Sequence, residues 1–275
     1  MRRLQGRVAI VTGGAGGIGS ATAQRLADEG ATVIVADIDA AGAERVVAQL
    51  GGATSAFQFD AGDAASIEAL IQAAVSRHGR LDILHNNAAL TLPDLVRSDS
   101  TAPLVSLDVW DAVMNVNLRG YLIACKFAIP HMLQNGGGSI INTASGSGLV
   151  GDLSRIAYGT SKAGILSLTR YIATQHGRQG IRCNAIAPGL IVTPAARSAV
   201  PELLSIIARH VLTPRLGKPE DVAALVAFLA SDEAGFINGE TICCNGGSLI
   251  HQPHMADLAD YQAQAGNQGN EHGYS

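Results

Sequence analysis

The chain is poor in aromatic residues, in charge and in lysine. Of its 275 residues 4% are aromatic and 15% are charged, against 47% that are hydrophobic. That balance excludes a disordered chain. A net charge of −4 supplies no basic field for nucleic acid. The four cysteines, Cys125, Cys183, Cys243 and Cys244, include no CxxC pair, and two of them are adjacent. Such spacing suits neither a disulfide framework nor a zinc site. Reduced, mostly buried thiols in a cytoplasmic protein are expected. There is no run of eighteen apolar residues, so no membrane span is expected. The opening "MRRLQGRVAIVTGGAGG" carries two arginines, but glycines interrupt its apolar stretch, so no secretory leader is expected.

Against this shortage, one of the three lysines stands four residues after a tyrosine in "IAYGTSKAGI", 156–165. Residues four apart share a helix face, so Tyr158 and Lys162 are expected side by side. A free phenol titrates near pH 10 and is a poor base at neutrality. An ammonium about 4 Å away would favour the phenolate by roughly 4 kcal/mol at an effective dielectric near 20. The pair thus suits a tyrosine that exchanges protons near pH 7, although the spacing alone is a hint only.

Short apolar runs alternate with longer helical patterns. Strands are expected over 7–13, 32–37, 55–61, 81–88, 138–145, 181–189 and 241–247. Helices are expected over 19–30, 41–51, 66–79, 108–134, 154–177 and 219–230. The last begins with Pro219, Glu220 and Asp221, as helix starts prefer. This alternation predicts an α/β chain with one doubly wound parallel sheet and helices on both faces. The first two strands are continuous apolar runs, as strands covered on both faces should be. The domain is expected over 1–250, with an apolar lid-like stretch near 190–215 in which Arg197, Arg209 and His210 are interspersed. Residues 251–275, rich in Gln, Asn, Gly and His, read as a polar tail, surface-lying or flexible.

"TGGAGGIG" (12–19) lies between the first strand and the first helix. Glycines there allow a tight turn and close backbone approach to a pyrophosphate, and the helix N-terminus favours its charge. Asp37 follows eighteen residues after Gly19, at the end of the second strand. A carboxylate there accepts hydrogen bonds from a ribose 2′-hydroxyl and repels a 2′-phosphate. Neither Ile38 nor the loop residues Gly14, Ala15 and Gly16 offer a positive charge. The cofactor is therefore expected to be NAD rather than NADP. His251, His254 and Asp257 have a spacing that could hold a metal, but they lie on a polar stretch with nothing to support them, so no metal site is expected. His85, ending an apolar strand, is expected to be packed or capping.

Taken together, these motifs resemble the short-chain dehydrogenase/reductase family. Thr12, Gly13, Gly17 and Gly19 match its TGxxxGxG, "NNAA" (86–89) its NNAG with Ala89 in place of glycine, and Tyr158 and Lys162 its YxxxK. "NVNLRG" (115–120) is similar to its central helix motif and "NAIAPGLIVT" (184–193) to its PG motif. Ser145 stands thirteen residues before Tyr158, a separation typical of the family. The likeness covers about 5–249 and implies a Rossmann-type fold. It implies a catalytic set of Asn117, Ser145, Tyr158 and Lys162. In that set Tyr158 gives or takes the hydroxyl proton, Lys162 tunes it, Ser145 orients the substrate oxygen and Asn117 holds a relay water. It also implies cofactor contacts at Gly13, Gly17, Ile18, Gly19, Asp37, Asp60, Ala61, Asn87, Ala88, Pro188, Gly189 and Thr193, with Tyr158 and Lys162 on the nicotinamide ribose. Bland roles stay open beside these: Asn117 as a helix-distorting residue, Ser145 as a strand-end serine and Thr193 as a cap. Asn86 and Asn87 read as backbone holders. A homo-oligomer, dimer or tetramer, is implied through helices 108–134 and 154–177. Leu149, Val150 and Leu153 are expected to line a pocket with Ser145, which suits a hydrophobic secondary alcohol or ketone. A cyclic dihydrodiol or similar diol is an alternative, and a non-catalytic NAD-binding scaffold a remote one. The segment 90–106 is expected to be a loop at the site's mouth.

Overall fold

The computed structural model describes residues 2–90, 92–193 and 201–271. Seven strands form one parallel sheet in the order β3-β2-β1-β4-β5-β6-β7. They are β1 (Val8–Thr12), β2 (Thr32–Asp37), β3 (Thr54–Gln58), β4 (Ile83–Asn86), β5 (Gly138–Thr143), β6 (Ile181–Pro188) and β7 (Thr241–Cys244). Every neighbouring pair is parallel. The order reverses between β1 and β4, and in such sheets the crevice at that reversal, outside the carboxyl ends of the strands, is where ligands bind. This is the Rossmann-type doubly wound architecture.

The alternation of side chains along β1 shows why the sheet needs cover on both faces. Val8 and Ile10 pack with Ile67, Leu70, Ala128 and Met132. Ala9 and Val11 pack on the other face with Leu26, Val222 and Val226. Helices supply both layers: α1 (Gly17–Asp28), α2 (Ala40–Leu50), α3 (Ala64–His78), α4 (Pro93–Ser98), α5 (Leu107–Met114), α6 (Gly120–Gln134), α7 (Ile156–His176), α8 (Pro201–Ala208), α9 (Pro219–Ala230) and α10 (Met255–Glu271). Asp63 begins α3 by accepting the N–H groups of Ala65 and Ser66, and Gly79 ends it at φ 73°. Of the cysteines, Cys125 and Cys183 are buried, Cys244 is half-buried and Cys243 is exposed.

Three segments differ from the sequence reading. The expected helix 108–134 is two helices joined by a π-helical turn, Asn115–Arg119. The expected loop 90–106 contains α4, with Pro93 at its start. The stretch read as a surface-lying or flexible tail carries α10, which Arg209 of the lid region grips through Asp260. There His251 places its two ring nitrogens against the carbonyls of Gln252 (2.9 Å) and His210 (2.8 Å). Residues 194–200, with Arg197, lie outside the described residues.

Candidate active site

The glycine loop runs from the carboxyl end of β1 to α1. Gly13 has φ 63°, and a Cβ there would stand 2.9 Å from the backbone of Ala88. A Cβ on Gly19 would stand 2.0 Å from the Gly13 carbonyl oxygen, so no side chain fits. On Gly17 it would meet the Thr193 methyl group at 2.7 Å, which puts Thr193 over the loop. Gly16 caps α1 with no side-chain hydrogen bond, and the first turn holds no acid. The helix N-terminus is thus left for an anion, and this cradle fits a dinucleotide pyrophosphate. Ile18 is half-buried and packs into the core beside β1 and β2. Asp37 accepts the N–H of Ala15 (2.9 Å) and of Asp39 (3.0 Å), which fixes its carboxylate between the glycine loop and the start of α2.

The other expected cofactor residues ring the same crevice. The Thr12 hydroxyl accepts the N–H groups of Asn87 (2.9 Å) and Ala88 (3.1 Å). The Asn87 amide donates to the carbonyls of Thr12 (3.1 Å) and Gly13 (3.3 Å), and the Asn86 amide to Asn142 (2.9 Å). Both asparagines therefore hold backbone and neighbouring strands together. Asp60 is exposed and accepts the Gly62 N–H (2.8 Å), while the Ala61 carbonyl lies against Gly120. Pro188 ends β6 in register with Cys244, and the Gly189 N–H donates to the Cys244 carbonyl at 3.1 Å.

Tyr158 and Lys162 lie on the first turns of α7. Lys162 is 1% exposed and donates to the Thr143 carbonyl at 2.7 Å. Its ammonium lies 5.6 Å from the centre of the Tyr158 ring and 5.5 Å from that of Tyr121. The ion therefore rests on the end of β5 between two phenols. Burial, and secondarily the charge of Arg155, push the Lys162 pKa down to about 7. Burial raises that of Tyr121, which is 2% exposed. Tyr158, by contrast, is half-buried. Ser145, just beyond β5, is extended at φ −166° and accepts the Ser147 N–H at 3.2 Å. Asn117 is fully buried within the π turn. It accepts the Leu90 N–H (2.8 Å) and donates to the Ser161 hydroxyl (3.2 Å), which donates to the Tyr158 carbonyl (2.7 Å). One asparagine thus joins the π turn, the end of the β4 loop and the tyrosine helix. π turns of this kind occur frequently at functional sites.

Two further residues support the site: His85, expected to be packed or capping, and Asp99, which the sequence reading did not single out. His85 is buried and held neutral, its pKa pushed down to about 3 by burial, with Nε2 2.9 Å from the Thr143 hydroxyl. It braces the residue whose carbonyl holds Lys162. Asp99, 3% exposed, accepts the N–H groups of Ala157 (2.9 Å) and Tyr158 (2.8 Å). The N-terminus of α7 is capped from 59 residues away. A loop acid in "RSDST" gives no local sign of this. Leu149, Val150 and Leu153 are exposed and line a cavity of about 480 Å³ with Arg155 and Ser100. Neither Ser145 nor Tyr158 is among its walls.

A family model described as "Enoyl-(Acyl carrier protein) reductase" matches residues 13–248. A probable short-chain type dehydrogenase/reductase of Bradyrhizobium diazoefficiens is 45% identical over 96% of this chain and 94% of its own. The 7alpha-hydroxysteroid dehydrogenase of Bacteroides fragilis is 41% identical over 92% of this chain and 98% of its own. The crystal structure of gox2181 superposes with a TM-score of 0.83 at 33% identity, covering 91% of this chain and 98% of that one.

Two expectations follow from the geometry. A lysine whose folded pKa falls from 10.5 to about 7 opposes folding fully below pH 7, and the penalty fades as pH rises toward 10.5. Lys162→Met should therefore unfold at a higher temperature than the parent at pH 6 and lose that advantage by pH 10, as calorimetry would show. Asp99→Ala should lower kcat about 10- to 100-fold with KM little changed, because two N–H groups that set the tyrosine lose their acceptor. Steady-state kinetics with a melting curve would separate this from unfolding.

Proposed function

The chain belongs to the short-chain dehydrogenase/reductase family, and from that premise we propose that it is an NAD-dependent dehydrogenase that interconverts a hydrophobic secondary alcohol and its ketone. The reading is carried by one observation: the buried Lys162 beside Tyr158, with Ser145 and Asn117, at the carboxyl edge of the sheet next to the glycine loop.

Tyr158 takes the hydroxyl proton of the alcohol, or returns it to the ketone. Ser145 donates to the same substrate oxygen and orients it. The Lys162 ammonium favours the phenolate that the proton transfer requires. Asn117 fixes the helix from which Tyr158 projects and holds the relay water. Gly13, Gly17, Ile18 and Gly19, with the start of α1, hold the pyrophosphate. Asp37 would hold the adenosine ribose, and Asp60 and Ala61 the adenine. Asn87, Ala88, Pro188, Gly189 and Thr193 would hold the nicotinamide half, with Tyr158 and Lys162 on its ribose hydroxyls. When bound, the nicotinamide supplies the hydride acceptor that no side chain provides. NAD is favoured over NADP because two acids, Asp37 and Asp39, meet where a 2′-phosphate would sit, and Arg45 there is paired with Asp39 at 3.3 Å.

The same reading includes a homo-oligomer. An apolar hollow of about 500 Å³ opens on the surface between Met114, Leu118, Leu122 and Leu168. Leu122 is 51% exposed there. These residues come from the helices expected at the subunit contact. Leu122→Asp should reduce the mass measured by light scattering toward that of one chain, and an unchanged mass would put the contact elsewhere.

The deciding measurement is NADH formation over hydrophobic secondary alcohols, steroids and cyclic diols, repeated with NADP and with Tyr158→Phe. Turnover with NAD is expected, falling at least about 100-fold in the variant. Asp37→Ser should erode the preference for NAD about 10- to 100-fold. Tight NADH binding without turnover of any alcohol would instead favour a cofactor-binding scaffold.

A further inference from the structure

Arg155, the residue before α7, is unfavourably placed in three ways. Its backbone is left-handed at φ 65° and ψ 43°, the one non-glycine residue with positive φ among those described. Such a conformation is strained for a residue other than glycine. It also sets a fixed positive charge at the positive end of a helix dipole, where anions are preferred. Its Nε is buried without a partner, and no carboxylate pairs with the guanidinium among the described residues. A buried cationic donor left unpaired is costly.

No local role accounts for it. Asp99 does the capping, so Arg155 is not needed as a cap. Asp152, on the same loop, turns its carboxylate to the N–H of Leu153 at 2.8 Å. The other nearby cation, Lys162, is committed to the Thr143 carbonyl. Instead, the guanidinium lies over the face of the Tyr158 ring, with Cζ 4.0 Å from its centre. The same side chain borders the cavity lined by Leu149, Val150 and Leu153. It therefore stands between the Tyr158 phenol and a cavity where Leu149, Val150 and Leu153 meet the hydroxyl-bearing Ser147 and Thr160 and the carboxylate of Asp152.

An anion beside Arg155 would give the guanidinium the charged partner it lacks among the described residues. A planar guanidinium matches a carboxylate through two parallel hydrogen bonds. Arg155 is the one cation among the described residues that line this cavity, which suits a carboxylate better than a phosphate, whose sites gather more donors. We infer that Arg155 anchors a carboxylate carried by the substrate, so that the alcohol oxidised at Tyr158 is a hydroxy acid with an apolar body. The inference rests on the dehydrogenase reading above. The carboxylate is unchanged in the reaction, and the bonds that change are those of the alcohol oxidation already described.

The test uses matched pairs: apolar secondary hydroxy acids of several chain lengths and their methyl esters, with NAD. The parent protein should prefer acid over ester by about 30-fold in kcat/KM, mostly through KM. Arg155→Met should bring that ratio close to one, and Arg155→Lys should keep part of it. Equal use of acid and ester by the parent overturns the inference. So does an Arg155→Met variant that loses both activities by one factor with the ratio intact, since Arg155 would then act on the fold alone. Oxidation of neutral alcohols without any acid preference sinks this inference and leaves the dehydrogenase reading standing. Turnover of no member of the set, acid, ester or neutral alcohol, sinks both.

Discussion

Much of the site depends on a lysine held in the interior by a hydrogen bond to the sheet. Lys162 donates to the carbonyl of Thr143, the last residue of β5. That bond joins the tyrosine helix to the sheet at the height where the glycine loop leaves β1. Burying an ammonium is expensive, and that burial pushes the Lys162 pKa down to about 7. The surrounding structure is arranged to tolerate it. His85 braces the Thr143 hydroxyl from β4, Asn87 accepts from the same hydroxyl at 3.4 Å, and Tyr121 lies alongside the ammonium. The core of the sheet supplies the rigidity that keeps these groups in register.

How much of this the sequence reveals depends on whether each signal is local. Apolar runs and turn glycines are local, so the seven strands, their helices and the loop at Gly13–Gly19 are legible within a few residues at their ends. The order of Ser145, Tyr158 and Lys162 is legible because those residues lie on one strand end and one helix. The π turn at Asn115–Arg119 is not, because its helical periodicity continues on either side and the widened turn is held by tertiary bonds. Asn115 reaches the Gly62 carbonyl (2.9 Å), and Asn117 reaches Leu90 and Ser161. Asp99 is hidden for the same reason: its partners are remote in sequence. The helix α10 was obscured by composition, since Gln, Asn and Gly over 251–275 argue against regular structure until the lid region offers a surface.

Charge at the site follows one pattern. Two cations lie against Tyr158, Arg155 with Cζ 4.0 Å and Lys162 with Nζ 5.6 Å from the ring centre. Asp99 and Asp37 meet backbone N–H groups instead. The phenol thus meets positive potential from two residues, one whose charge changes near neutrality and one a guanidinium. The two cations are not redundant: one is anchored to the sheet, the other sits where the crevice meets the loop 147–155.

The cap on the tyrosine helix has a longer reach than its two hydrogen bonds suggest. Asp99 belongs to the segment 90–106, yet it fixes the backbone of Ala157 and Tyr158 at the start of α7. A change in that segment that moves Asp99 also shifts the start of the tyrosine helix, so the two parts of the chain cannot vary independently of one another.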